Sequence, residues 1–174
     1  MTAGSTREEG EAQLGPGGPV QAVKNWLDDI IKRRDVRSAW RNTDPDYRLA
    51  LTQAIIFLND KHPLLSGYDG QGLAVALAEE QPTHQLWDSF ANLLAEEFLN
   101  DSSEIRFDNW TAATARPIAP GYELVMFPRE HGEGGEPPEM LAHGILVHHR
   151  DGRWLVAGLS ERRAVPGWPP DLGY

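Results

Sequence analysis

Residues 140–159 read MLAHGILVHHRDGRWLVAGL, and their pattern predicts the last two strands of the fold. Two apolar runs flank Asp151-Gly152, and Trp154 opens the second run. An Asp-Gly step between such runs is a strong hairpin signal, because glycine readily takes the positive φ that a tight turn needs. The sequence therefore predicts two antiparallel strands, over residues 141–149 and 154–160, joined by a two-residue turn.

Two further strands are predicted ahead of this hairpin, where the apolar period changes from about 3.6 residues to about 2. Apolar and polar side chains alternate over residues 104–116, and a second strand over 122–127 follows the turn signal Pro120-Gly121. The segment 128–138 is acidic and rich in glycine and proline, which is typical of a mobile loop.

The first hundred residues carry the apolar spacing of amphipathic helices. We expect a helix from Pro19, a short second helix carrying Trp40, and a third helix that begins at Asp44-Pro45, where an aspartate cap precedes a proline. A short helix over residues 73–80 and a long one over 84–99 follow. The predicted apolar stripes consist of Val23, Trp26, Leu27, Ile30, Ile31, Val36, Ala39, Trp40, Tyr47, Ala50, Leu51, Ala54, Ile55, Leu58, Leu86, Trp87, Phe90, Leu93, Leu94 and Phe98.

Helices followed by a run of antiparallel strands imply an α+β fold, with helices packed on one face of a curved antiparallel sheet of about four or more strands. A curved sheet around such helices leaves a cone-shaped cavity. We expect a flexible tail over residues 1–19, one domain over 20–162, and a tail over 163–174 that contains proline and tryptophan. The stretch PGWPP at 166–170 favours an extended path.

Composition narrows the function classes. The 174 residues include no cysteine, which excludes disulfides and thiolate metal sites, and 40% are hydrophobic, which is typical of a globular domain. The net charge of −10 argues against duplex nucleic acid and anionic lipid as partners. Without an apolar signal segment near the start or an apolar run long enough to span a bilayer, we expect a cytoplasmic protein.

Several short motifs together resemble the nuclear transport factor 2-like superfamily, in its SnoaL-like branch and among actinobacterial members. They are DVRSAW at 35–40, TDPDYRLA at 43–50, GRWLVAG at 152–158 and PGWPP at 166–170. The resemblance spans about residues 20–170. It departs from the superfamily pattern where residues 45–80 read as two helices and a loop, because the superfamily usually places a short strand before its last long helix.

The resemblance implies a conical, cystatin-like barrel with a pocket, and a homodimer formed through the sheet. Enzymes of the superfamily place Asp, His or Tyr side chains in an apolar pocket, where desolvation raises the pKa of a carboxyl group toward neutral pH. The candidate catalytic residues are therefore Asp108, His143 and Tyr122. The alternative is that these side chains lie on a solvent or dimer face, or that His143 is a hydrogen-bonded core residue.

Candidate ligand-pocket residues are Arg48, Trp87 and Trp110. Tryptophans on helix stripes are core residues in most proteins, which is the alternative for Trp87. Trp168, between prolines in the tail, either docks a partner domain or folds back over an apolar patch of its own domain, and the second alternative is favoured.

No cofactor or metal site is predicted. The glycines of SGYDGQG at 66–72 lack the Lys-Ser/Thr step of a phosphate loop. His148 and His149 are adjacent on a strand and so point to opposite faces, which does not suit one metal ion. His131 lies in the predicted loop.

Two functions remain open from the sequence. The first is a non-enzymatic, cytoplasmic module that binds an apolar small molecule or a protein partner. The second is a small pocket enzyme of isomerase, dehydratase or cyclase type, which would act on an apolar molecule by Asp/His acid–base chemistry. Fold alone does not choose between them.

Overall fold

The computed structural model describes residues 17–102, 113–130 and 140–172. The helices are α1 (Pro19–Leu27), which continues into a π-helical turn (Asp28–Arg33), α2 (Val36–Arg41), α3 (Pro45–Leu58), a 3-10 turn (Pro63–Leu65), α4 (Gly70–Leu77) and α5 (Trp87–Ser102). The strands are β1 (Thr114–Ala119), β2 (Tyr122–Glu130), β3 (Met140–Arg150) and β4 (Arg153–Gly158). The architecture is α+β, as predicted.

Aspartate caps set the starts of three helices. The carboxylate of Asp44 accepts a hydrogen bond from the backbone N–H of Asp46, with Pro45 in the first turn, which confirms the predicted start of α3. Asp35 caps α2 in the same manner. Asp69 accepts from the N–H of Gly72, so α4 begins at Gly70 and not at residue 73 as predicted.

The first helix does not continue as a regular α-helix to its basic end. The chain widens into the π-helical turn, and Arg34, at a φ of 55°, ends it. Lys24 and Lys32 both pair with Asp28, at 2.7 and 2.8 Å. Burial alone would raise the pKa of Asp28, but the hydrogen bonds from these two lysines outweigh burial and lower it.

The four strands form one antiparallel sheet in the order β1-β2-β3-β4. Asp151 and Gly152 have φ values of 52° and 78°, which confirms the predicted tight turn between β3 and β4. β2 runs on to Glu130, which pairs with Met140. The prediction of a loop from residue 128 was therefore wrong, because the backbone of 128–130 continues the ladder; residues 104–112 and 131–139 of the predicted strand and loop lie outside the described residues.

The two sheet faces have different surroundings. On the first, called here the helix-facing face, Val125, Val147 and Val156 pack against α1, which contacts all four strands. On the other, called the second face, Tyr122 and Leu146 are buried with Ala157. Strand alternation places residues on these two faces in turn.

A second core lies among helices α2 to α5. Trp40, Trp87 and Phe90 form an aromatic cluster there, with ring centroids 5.5–5.8 Å apart. Most predicted stripe residues are buried or half-buried in one of the two cores. Leu58 is 63% exposed and Leu93 is 36% exposed, so these two were wrongly assigned to the core.

Thr43 connects α1 and α2 with the edge of the sheet. Its backbone forms a parallel bridge with Val156 at the outer edge of β4, and its hydroxyl accepts a hydrogen bond of 2.9 Å from the indole of Trp26. The same hydroxyl donates to the carbonyl oxygen of Ala39. The segment between α2 and α3 therefore acts as a short extra strand that ties the helices to the sheet.

The C-terminal segment folds back on the domain. The N–H of Gly167 donates to the side-chain oxygen of Gln53 at 2.8 Å, and Trp168 packs edge-on against Phe57. A Cβ atom at Gly70 would lie 3.1 Å from the indole of Trp168, so glycine at this position lets the ring pack closely against α4. Of the two alternatives for Trp168, the structure shows the fold-back.

Candidate ligand cavity and a histidine–aspartate pair

An apolar cavity of about 140 Å³ lies between α1, α2, α3 and α5. Four aromatic rings contribute to its wall, and aliphatic side chains form most of the rest. The lining residues are Trp26, Ile30, Val36, Ala39, Trp40, Thr43, Tyr47, Leu51, Leu94, Ala95, Glu97, Phe98 and Leu159. This composition suits an apolar ligand.

The polar atoms of the cavity's two tryptophans are already engaged elsewhere. The indole N–H of Trp26 donates to Thr43, and that of Trp40 donates to the carbonyl oxygen of Glu79 at 3.0 Å. Phe98 stacks edge-on against Trp26 at 5.1 Å. These contacts fix the ring orientations, so the two indoles present carbon surface to the cavity.

A wider apolar groove of about 270 Å³ lies between α3, the 3-10 turn, α4 and α5. Ile55, Phe90 and Leu93 are among its lining residues. Leu58 and Leu64, 63% and 54% exposed, extend the apolar surface beside it.

Asp44, which lies beside the edge of β4, pairs with His148, which lies on the second face. The Nδ1 atom of His148 lies 2.8 Å from Oδ2 of Asp44. The Asp44 side chain is only 2% exposed, whereas that of His148 is 19% exposed. A buried carboxylate at this position fixes the imidazole orientation and favours the tautomer with hydrogen on Nδ1, which leaves Nε2 as the group that can exchange a proton or bind a ligand.

Aromatic stacking holds the same imidazole from the side. The ring of Tyr122, across from His148 in the β2–β3 ladder, stacks on it with centroids 4.1 Å apart and planes 5° apart. The guanidinium of Arg163 lies over the tyrosine ring, 4.3 Å from its centroid. The row Arg163, Tyr122, His148 and Asp44 thus crosses the second face.

A buried arginine lies beside this row. Arg48 donates to the carbonyl oxygens of Trp40, Thr43 and Ala78. Burial lowers the pKa of its guanidinium, and the nearby charges of Glu80 and Asp44 oppose that effect. Arg48 therefore anchors the ends of α2 and α4, and it is not among the residues that line the apolar cavity.

The structure describes the predicted catalytic residues only in part. Asp108 lies outside the described residues. Position 143 pairs with Phe127 and shares the helix-facing face with Ile145, as predicted, although its side chain is outside the description. Tyr122 lies on the second face. The strand register therefore places positions 143 and 122 on opposite faces of the sheet.

Of the other predicted pocket residues, Trp110 lies outside the described residues, and Trp87 is 1% exposed in the helical core. The core alternative is confirmed for Trp87. It packs there against Trp40 and Phe90 and does not line the cavity.

Sequence reasoning missed the pairing of Asp44 with His148. Asp44 was identified only as a helix cap, and His148 only as an unsuitable metal ligand. The two lie 104 positions apart, so no local spacing could join them. The one sequence signal was that His148 and His149 must point to opposite faces.

Within the parts of the chain that the structure describes, no group of three or more His, Asp or Glu side chains is arranged to hold a metal ion. No helix there is long and apolar enough to cross a bilayer.

A scan against protein-family models and searches of curated proteins and solved structures found no match to this chain.

Proposed function

We propose that this protein is a non-enzymatic, cytoplasmic module that binds a small apolar ligand between its helices. The observation that carries the proposal is the aromatic cavity of about 140 Å³ next to the core. The cavity is concave and mostly apolar, with a few polar groups at its wall, which is the usual character of a binding site for a small molecule.

The cavity's size limits the ligand. Cavities of about 150 Å³ with aliphatic and aromatic walls hold a benzene-sized molecule. Trp26, Trp40, Tyr47 and Phe98 supply ring faces and edges for stacking. We therefore expect a single aromatic or alicyclic ring with few polar substituents.

Toluene and indole are suitable probes, measured by tryptophan fluorescence and thermal shift. We expect saturable binding that raises Tm. Ala95→Leu, which adds a side chain to the cavity wall, is expected to weaken binding at least tenfold, whereas Asn92→Leu, on the exposed side of the same helix, leaves it unchanged. Circular dichroism checks that both variants are folded. Absence of saturable binding by either probe, or equal binding by Ala95→Leu, would contradict the proposal.

We further propose the cone-like nuclear transport factor 2-like fold and a homodimer. The order of helices followed by a four-stranded antiparallel meander supports the first. Native mass spectrometry of freshly purified protein tests the dimer and also reports any retained ligand. Because Tyr122, Leu146 and Ala157 on the second face are already buried within one chain, a dimer would need other apolar surface, such as that around Leu58 and Leu64.

A further inference from the structure

We propose that the second face of the sheet carries a binding site for a small oxyanion, a phosphate or a carboxylate, formed by His148 Nε2 and Arg150. The site is separate from the apolar cavity and does not depend on it. Two turns, at Pro120-Gly121 and Asp151-Gly152, lie at the end of the sheet where these groups are found.

The first step in the argument is the fixed direction of the imidazole. Asp44 holds Nδ1 at 2.8 Å, and Tyr122 holds the ring plane by parallel stacking. Among the described residues, Nε2 has no hydrogen-bond partner, and the side chain is 19% exposed. A histidine fixed on two sides and open on the third is prepared to bind through Nε2.

The second step is a cluster of three arginines near the buried carboxylate of Asp44. The guanidinium of Arg48 lies within electrostatic range of Arg150 and Arg153 and of the carboxylates of Asp44 and Glu80. Arg153 is paired with Glu80 at 3.0 Å, and Arg48 donates to carbonyl oxygens.

Arg150 is the guanidinium of this cluster that still has donors to offer. It shares the second face with His148, two positions before it on β3, and its side chain is 41% exposed. Its Nη1 atom lies 3.9 Å from Asp44, which is too far for a hydrogen bond. An oxyanion could accept from this guanidinium and from a protonated Nε2, while Asp44 balances the imidazolium charge.

Gly121 keeps the approach to Nε2 open. Its φ is 76°, and a Cβ atom there would lie 3.7 Å from Nε2 of His148. The positive φ already favours glycine at this turn, so the same residue serves the backbone and leaves room beside the imidazole.

The test is a titration of the protein with inorganic phosphate, and separately with acetate, followed by NMR of the histidine imidazoles. We expect the His148 signals to shift saturably with at least one anion, while those of His149, on the opposite face, do not. Saturation by phosphate alone assigns a phosphate ligand, and saturation by acetate alone assigns a carboxylate ligand. Saturation by both supports a general oxyanion site.

Two variants separate a built site from general surface charge. Arg150→Gln is expected to raise the phosphate or acetate Kd about tenfold, as loss of one charge-assisted hydrogen bond implies. Arg116→Gln, on the same face but on β1, removes the same charge and should leave Kd unchanged. The proposal is overturned if neither anion shifts His148 saturably, if His149 responds equally, or if both variants weaken binding alike. Loss of toluene binding in Ala95→Leu leaves this result unaffected, so the two proposals fail independently.

Discussion

Glu123 on β2 is a carboxyl group in an unfavourable position. Its Oε2 atom is buried and has no hydrogen-bond partner among the described residues. Burial raises the pKa of this carboxyl group, and the charge of nearby His149 opposes the rise only in part. The folded state therefore holds this proton more tightly than the unfolded chain does. Stability falls as the pH rises above the pKa of the unfolded chain, and the full cost is reached above the raised pKa of the folded state.

Glu123→Gln removes the charge and keeps the size of the side chain. We expect Tm to rise by a few degrees at about pH 8, since about 1 kcal/mol corresponds to about 2–4 °C in a domain of this size. The rise should shrink toward about pH 4, where the wild-type carboxyl group is protonated and no longer costs stability. Thermal melts of both proteins across this range provide the measurement. A difference that does not depend on pH would contradict the raised pKa.

At the scale of elements, the residues within a few positions of a turn or helix cap specify it. Contacts with neighbouring elements then set where each helix or strand begins and ends. The hairpin turn at Asp151-Gly152 forms as the sequence predicts, because both positions take positive φ. α4 begins three residues before its predicted start because Asp69 caps it, and two glycines therefore lie within the helix. β2 extends past Pro128, beyond its predicted end, because its backbone pairs with β3 there.

Gly152→Val places a β-branched residue at a φ of 78° and is expected to destabilise the protein by about 1–2 kcal/mol. Asp151→Asn, at a φ of 52° in the same turn, is the matched control, because asparagine tolerates the left-handed region well. Urea unfolding of the three proteins measures the difference. Equal midpoints for wild type and Gly152→Val would show that the turn is not held in this conformation.

At the scale of the whole molecule, two cores meet at one threonine. Thr43 is 1% exposed and contacts α1 through Trp26, α2 through Ala39 and β4 through Val156. These three contacts belong to the core beneath the sheet, and the N–H of Thr43 also donates, at 3.1 Å, to the carbonyl oxygen of Trp40 in the second core. We infer that this junction makes the two cores unfold together.

Thr43→Val keeps the side-chain volume and removes both hydroxyl contacts. The buried indole N–H of Trp26 then loses its partner, at an expected cost of about 1–3 kcal/mol. Urea unfolding should remain a single transition, coincident by far-UV circular dichroism and tryptophan fluorescence, at a lower midpoint. Thr114→Val, at an exposed position on β1, is the control. Two separated transitions in the wild type would show that the cores are independent.

The candidate sites show why the sequence predicted the helices and strands but not which side chains come together in a site. Trp26, Trp40 and Phe98 were correctly placed on apolar stripes, but only helix packing shows that they leave a cavity between them. Tyr122 and His143 both lie on predicted strands, but only the strand register shows that they occupy opposite faces.

By itself the sequence determined the α+β class, the closing hairpin, the capped start of α3 and the burial of most helix stripes. Each of these depends on interactions within a few residues, such as a positive φ, a cap or an apolar period. Only the tertiary structure decided that Asp44 meets His148, that Arg48 is a buried anchor, and that Trp168 folds back onto Phe57. These contacts join positions far apart in the chain, and their partners are selected by the packing of whole elements, which local pattern does not encode.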